Sequence, residues 1–279
     1  MKHFFIISNK QKDNNLTLAG HVQQLLTDKG AVCYIYDADE KENMGPITVP
    51  KETECILVIG GDGTILDTAG RLIGKNIPLL GINRGTLGFL ADIDVNELND
   101  AIDDLMADRF QLEKRIMLKA DIIREGNEVI SYTALNDFVI HRNGYAGVIG
   151  LSVKINGALI DQYHGDGVIV CTPTGATGYN LSAGGPIINP TCKNFVVTPI
   201  CSHSLTARSV VLDKADTVII EIDNLRDPRK EQAVISMDGK EGMPLYPGDQ
   251  IKICKAEEVT PFIKMKEISF VTILKEKLL

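Results

Sequence analysis

With 279 residues, 44% of them apolar, the chain is long enough for two ordinary domains with proper cores, and two is the expectation. A formal charge of −8, with acids spread along the sequence, argues against a nucleic-acid or anionic-membrane partner and leaves a small phosphorylated ligand open. The cysteines at 33, 55, 171, 192, 201 and 254 form no Cys-x-x-Cys pair and read as buried, reduced thiols of a cytoplasmic protein. The apolar run after Lys2 is too short for a signal peptide, and nothing later approaches membrane-spanning length.

Phe4 to Ser8 predicts a first strand, Asn14 to Lys29 a helix with Leu16, Ala19, Val22, Leu25 and Leu26 on one face and Gly30 at its end, and Ala31 to Tyr36 a second strand. Such a strand-helix-strand opening makes a parallel sheet. Asp37 to Thr53 is polar, holds Gly45, Pro46 and Pro50, and reads as a loop. Cys55 to Ile59 is continuously apolar, as a strand buried on both faces should be, and ends in Gly60-Gly61-Asp62-Gly63-Thr64. A helix is expected next, capped by Thr64, with Ile65, Leu66, Ala69, Leu72 and Ile73 at helical spacing. Ile77 to Ile82 gives another strand, which also runs into a glycine-rich loop, Asn83 to Asp92. Asp94 to Asp108 reads as an acidic amphipathic helix with Leu98, Ile102, Leu105 and Met106 inward.

From Gln111 to Lys255 the character changes to short alternating runs separated by turns, among them 118–123, 138–141, 150–155, 168–172, 195–200 and 218–222, with almost no helical periodicity. Glu257 to Leu279 carries Phe270, Ile273 and Leu274 in a terminal helix expected to pack back on the first domain. The division expected is therefore an α/β domain of residues 1–109 plus about 257–279, with a parallel sheet, and an all-β sandwich of residues 110–256.

Gly60, Gly61 and Gly63 allow a sharp turn and close approach to a ligand, and the start of the following helix offers unpaired N–H groups and a positive dipole end to an anion. A carboxylate there repels phosphate unless a metal ion or an acceptor hydroxyl intervenes. Asp62 is thus either a turn residue with a local hydrogen bond or a general base or metal partner in phosphoryl transfer. The loop is neither a Walker A sequence nor a dinucleotide fingerprint. Because ligands of open parallel sheets gather beyond the carboxyl ends of strands, residues 60–64 and 83–92 are expected to face one crevice, with Phe89 and Leu90 either core residues or a wall for a flat base.

The stretch His164 to Pro186 is a second candidate surface. Its glycines and small hydroxyl residues let a ligand lie against the backbone, with Thr174, Thr177, Tyr179, Asn180 and Ser182 as donors and acceptors, while Asp166 between two glycines is a turn former or a ligand contact. Asn136-Asp137, between two strands, suits either a turn or an adenine edge with a ribose diol. The five histidines show no metal spacing, and no Gly-x-Ser-x-Gly elbow is present.

Taken together, Gly60 to Thr64, Asn83 to Asp92, Asn136-Asp137, residues 164–186, Thr198 to Arg208 and Ser236-Met237-Asp238-Gly239 occur in an order that resembles the NAD kinases over nearly the whole chain. The first motif is shared with lipid kinases and phosphofructokinases, whereas 164–186 resembles the dinucleotide-binding segment specific to NAD kinases. The resemblance implies an α/β domain, a β-sandwich, and a C-terminal segment returning to the first domain. It also implies transfer of the γ-phosphoryl of ATP, or of inorganic polyphosphate, to the 2′-hydroxyl of the adenosine ribose of NAD, with Mg²⁺ as helper and metal ligands unknown. Asp62 would act as general base or orienting carboxylate, and Gly61, Gly63 and Thr64 would bind phosphates. Asp62, Gly63, Phe89, Asn136, Asp137, His164, Asp166, Thr177, Gly178, Tyr179 and Ser182 would contact NAD, and a homodimer or homotetramer is implied. Three positions depart from the family pattern: Asp137 replaces a glutamate, Gly178 an alanine and Ser209 a proline. The competing readings are a lipid or sugar kinase with the same loop and a non-catalytic NAD or NADP sensor; residues 164–186 speak against the first and Asp62 against the second.

Overall fold

The computed structural model describes residues 1–10, 12–38, 47–83, 88–144, 147–204, 206–223, 232–266 and 268–278. The chain divides into two compact units, Met1–Lys114 with Val259–Leu279, and Arg115–Glu258.

In the first unit β1 (His3–Ser8), α1 (Thr17–Asp28), β2 (Val32–Asp37), β3 (Cys55–Ile59), α2 (Asp62–Arg71) and β4 (Leu79–Asn83) build a parallel sheet in the order β4-β3-β1-β2. The short β5 (Ile93–Asp94) adds to β4, and a 3-10 turn over Val95–Glu97 leads into α3 (Leu98–Met106). β3 is buried along its whole length because alternate residues serve opposite faces. Phe4, Ile6, Leu57, Ile59, Leu80 and Ile82 lie in one cluster with Ala19, Val22 and Leu26 of α1 and Leu98, Ile102 and Leu105 of α3.

Helix ends are set by polar side chains and glycine. α1 begins at Thr17 rather than Asn14, because Asn14, Asn15 and Leu16 take φ values of 34°, 59° and 63°. Its free amides are met from outside the helix by buried Asp13, which accepts from Leu18 and Ala19 N–H at 3.0 Å each. Gly30, at φ 81°, closes the other end, with its N–H on Thr27 O and that of Ala31 on Leu26 O. Asp94 and Glu97 form a capping box ahead of α3.

The second unit takes up β6 (Gln111–Arg124) from Arg115 onward, in a hairpin with β7 (Asn127–Ala134), and continues with β8 (Asp137–Asn143), β9 (Ile149–Ile155), β10 (Ala158–Gly165) and β11 (Gly167–Cys171). A 3-10 turn at Gly175–Thr177 and the one-turn α4 (Tyr179–Ser182) follow, too short to show in the sequence as helical periodicity. β12 (Phe195–Ile200), β13 (Val210–Leu212), β14 (Thr217–Ile222), β15 (Gln232–Met237), β16 (Lys240–Leu245) and β17 (Gln250–Lys264) complete the set. One antiparallel sheet runs β13-β12-β11-β8-β15-β16, and the other contains β10-β9-β14-β17. Phe138, Ile140, Val168, Val170 and Ile235 of the first sheet share a core with Leu151, Val153, Val218, Ile220, Ile251 and Ile253 of the second, which makes the unit a sandwich. The outer face of the first sheet is covered by its own chain: Val139, Ile169, Cys171, Val196 and Ile200 pack with Ala176 and Ile188.

The C-terminal segment does return to the first unit, with Phe262 of β17 opposite Leu79 in parallel register. Residues 257–264 are strand, however, and only Phe270–Leu278 forms α5. All six cysteines are free. Cys33, Cys55 and Cys171 are buried and their thiols pushed up by burial, to about 12 for Cys33, but Cys192 and Cys201 lie on turns and are exposed. Among the described residues no helix is long and apolar enough to cross a membrane.

Leu57 sits at the centre of the parallel sheet with 1% exposure. Leu57→Ala is expected to cost about 2–5 kcal/mol, read as a lower urea midpoint for loss of the first unit's helical signal.

Candidate active site

The glycine loop is the turn from β3 into α2. Gly61 is the N-cap and Asp62 the first helical residue, so Thr64 lies inside the first turn and is not the cap. Thr64 instead packs on the loop: a Cβ at Gly60 would stand 2.7 Å from Thr64 Cβ and Oγ1. Gly61 and Gly63 are exposed and a Cβ at either would meet nothing within 4 Å, so their lack of side chains leaves the helix start open to an approaching group.

Asp62 is half-buried and points at the segment after β4. Phe89 N–H donates to its Oδ2 at 2.7 Å and Leu90 N–H to its Oδ1 at 3.1 Å. The expected meeting of residues 60–64 with the loop after β4 therefore occurs at residues 88–90; residues 84–87 lie outside the described residues. Phe89 is half-buried and Leu90 is buried at 5% exposure.

In the second unit the pair Asn136-Asp137 is gripped from two sides. The carboxylate of Asp238 accepts N–H bonds from Leu135 (2.9 Å), Asn136 (2.7 Å) and Asp137 (3.2 Å). Opposite, Thr172 donates its N–H to Asn136 O at 2.8 Å and its hydroxyl to Leu135 O at 2.6 Å, and a Cβ at Gly175 would fall 2.3 Å from Asn136 O. Asn136 Oδ1, so enclosed, is withdrawn from solvent and meets no hydrogen-bond partner among the described residues. Burial and the nearby Asp238 charge push the Asp137 carboxyl up to about 7, and burial raises Asp238 as well despite its three amide donors.

The stretch 172–186 is organised around buried Asn180. Its amide donates to Ala176 O (3.2 Å) and Pro186 O (3.1 Å), and its Oδ1 accepts from Thr198 Oγ1 at 2.7 Å. Thr177 and Gly178 are half-buried at the turn beside Asn136, while Tyr179 and Ser182 on α4 are exposed. A Cβ at Gly178 would be 3.3 Å from Gly175 O and 3.9 Å from Asn136 Nδ2, so an alanine there would fit with a slight shift. His164, at the end of β10, is exposed. Asp166 is half-buried and takes an ion pair from Arg142 Nε at 2.7 Å. The Tyr179 phenol is raised by burial, with Cys201, Asp166 and Asp137 adding to the effect.

Two residues without a role in the sequence reading thus hold candidate ligand groups: Asp238 frames the Asn136-Asp137 backbone, and Arg142 fixes Asp166. The motif Ser236 to Gly239 drew attention to the first. The ion pair joins β8 to the turn before β11 and has no signature in local spacing.

Residues 40–110 match the ATP-NAD kinase N-terminal domain and residues 135–265 the ATP-NAD kinase C-terminal domain. Proteins named NAD kinase from Lachnoclostridium phytofermentans and Agathobacter rectalis are 42% and 40% identical, over 99% and 100% of this chain and 99% of each relative. Among solved structures, yeast NADH kinase complexed with NADH superposes with a TM-score of 0.85 at 24% identity, covering all of this chain and 87% of that one. An NAD kinase from Archaeoglobus fulgidus in complex with ATP gives 0.75 at 21% identity, covering 96% and 95%. Fold and matches define a phosphotransferase of the kinase class. The chain belongs to the NAD kinase family.

Asp137 supplies a test of the second unit's electrostatics. Its carboxyl is raised in the folded protein to about 7, so the folded state holds a proton that the unfolded chain releases near pH 4. Its contribution to stability is complete below about pH 4 and is lost as pH rises through about 7. Asp137→Asn removes that loss, and its denaturation midpoint is expected to gain on the wild type between pH 4 and 8; parallel pH profiles for the two proteins would refute the assignment.

Proposed function

We propose that the chain transfers the γ-phosphoryl group of ATP, with inorganic polyphosphate as the alternative donor, to the 2′-hydroxyl of the adenosine ribose of NAD, giving NADP. The observation that carries this reading is the position of Asp62. Its carboxylate stands in the first turn of α2, oriented by two amides, beside the open Gly61 and Gly63. A carboxylate so placed suits the acceptor hydroxyl rather than the donor's phosphates: it takes the hydroxyl proton or orients the hydroxyl for in-line attack.

Gly61, Gly63 and Thr64 serve the phosphates through the unpaired N–H groups at the helix start and a hydroxyl. On the NAD side we assign Asp62, Gly63, Phe89, Asn136, Asp137, His164, Asp166, Thr177, Gly178, Tyr179 and Ser182. Asn136 supports this assignment most directly, because an enclosed acceptor without a donor suits a ligand N–H or O–H. Asp137, one methylene shorter than the family's glutamate, lies on a backbone whose N–H is held by the Asp238 carboxylate at 3.2 Å.

Among the described residues no group of three or more His, Cys, Asp or Glu side chains is arranged to hold a metal ion. Mg²⁺, whose protein ligands stay unassigned, would serve by neutralising phosphate charge. A homodimer or homotetramer acting in the cytoplasm completes the proposal.

The purified protein with ATP, Mg²⁺ and NAD is expected to form NADP, read with an NADP-specific dehydrogenase, and Asp62→Asn to lower kcat by roughly 10²–10⁴. No NADP from either ATP or polyphosphate would sink the proposal. A variant with full activity would remove Asp62 from the chemistry.

A further inference from the structure

We propose that Gly88 is a positioning residue for phosphoryl transfer, because the space left by its missing side chain is the space that the Asp62 carboxylate occupies. The inference rests on the reading of Asp62 as the carboxylate that meets the acceptor hydroxyl. A Cβ built at Gly88 would lie 1.8 Å from Asp62 Oδ1, 2.4 Å from Cγ and 2.6 Å from Oδ2, and these are its three nearest atoms. No non-bonded heavy atoms coexist at such distances, so a side chain at 88 forces one partner to move.

The surroundings decide which partner yields. The chain just after Gly88 is locked: a Cβ at Gly81 of β4 would fall 2.9 Å from Ala91 Cα, so strand and segment are in close contact there. Asp92 N–H donates to Gly81 O at 3.0 Å, and the Asp92 carboxylate accepts from Lys264 Nζ at 2.9 Å and Met265 N–H at 2.6 Å. Asp62, by contrast, is a short side chain on the half-exposed first turn of α2, free to rotate about χ1 toward solvent. A methyl group at 88 therefore expels the carboxylate and breaks its bonds to Phe89 and Leu90 N–H.

The native arrangement has a chemical use. A carboxylate offers about four lone-pair directions, and the two amides occupy one on each oxygen. The plane of the group is fixed and the remaining lone pairs are left for a hydroxyl. The arrangement orients the carboxylate before substrate arrives, as preorganisation requires.

The test is a double-mutant cycle in kinetics and stability. Gly88→Ala is expected to lower kcat about 10²-fold, the usual consequence of displacing a reacting group by an ångström, with KM for ATP changed by less than about threefold. In the Asp62→Asn background the same substitution is expected to add almost nothing. In thermal unfolding, Gly88→Ala is expected to cost less when residue 62 is alanine, since the obstructing atoms are gone. Should Gly88→Ala alone fail to fold, recovery of folding in Asp62→Ala/Gly88→Ala would support the inference and continued misfolding would overturn it. A wild-type kcat in Gly88→Ala, or a loss that multiplies fully with that of Asp62→Asn, would overturn the positioning role while leaving Asp62 in place. Full activity of Asp62→Asn alone would overturn the reading beneath it.

Discussion

A carboxylate that accepts backbone N–H groups is the interaction on which both candidate binding regions depend, and Asp62 with the amides of Phe89 and Leu90 is its clearest instance. Glycine-rich loops have few side chains to pack, so their shape must come from hydrogen bonds to the main chain. Bonds in which one partner is ionised are about twice as strong as neutral ones and suit the task. Asp13 does this for the start of α1, Asp94 for the turn before α3, and Asp238 for the backbone of residues 135–137. The acidic composition is in this respect structural. Several of the carboxylates behind the net charge of −8 are tied to amides, and a protein with so many acids can still present local donor groups to phosphate at the start of α2.

The glycines of the two regions fall into different physical kinds. Gly61 and Gly63 have open space around them and serve by leaving the helix start uncovered. Gly88, Gly175 and Gly185 each face a polar group that a side chain would strike: the carboxylate of Asp62, the carbonyl of Asn136 and the amide of Asn180. In those three places the missing Cβ admits a hydrogen-bonding group, and the backbone closes around it. Asn180 shows the result. Its carboxamide joins Ala176, Pro186 and Thr198, so a stretch that reads as a flexible run of small residues is held on the outer face of the sheet.

The strands were legible because their burial leaves a mark in composition. β3 reads as five consecutive apolar residues, and the alternation in the second half of the chain announces a sandwich. Ends of elements were less legible. Asp13 caps amides five and six residues ahead across a left-handed turn, a spacing that no local motif records, and the helix after the loop has Gly61 at its N-cap, with no side-chain cap to mark its start. β17 continues through Pro261 to Lys264, where the sequence suggested the approach to a terminal helix. The contact between Asp62 and residues 88–90 was visible as an expectation, since both loops leave the carboxyl ends of parallel strands. The framing of Asn136-Asp137 by Asp238, more than a hundred residues later, was visible only as a motif without a mechanism.

That frame also explains why a buried acid beside a buried amide is tolerable. Burial, with the charge of the Asp238 that serves the three amides added to it, raises the Asp137 carboxyl, so it takes up a proton more readily than an ordinary aspartate and the charge enclosed there is reduced. Asn136 Oδ1 stays without a donor among the described residues. Both features carry a cost in the folded chain, roughly 1–3 kcal/mol for an unsatisfied buried acceptor. A ligand that brings donors to these groups recovers that cost on binding, whereas one of the same shape without donors does not. In the proposed NAD site such groups would add discrimination, since buried acceptors reject an analogue lacking its hydroxyl or amino group more strongly than an apolar wall rejects a missing methyl.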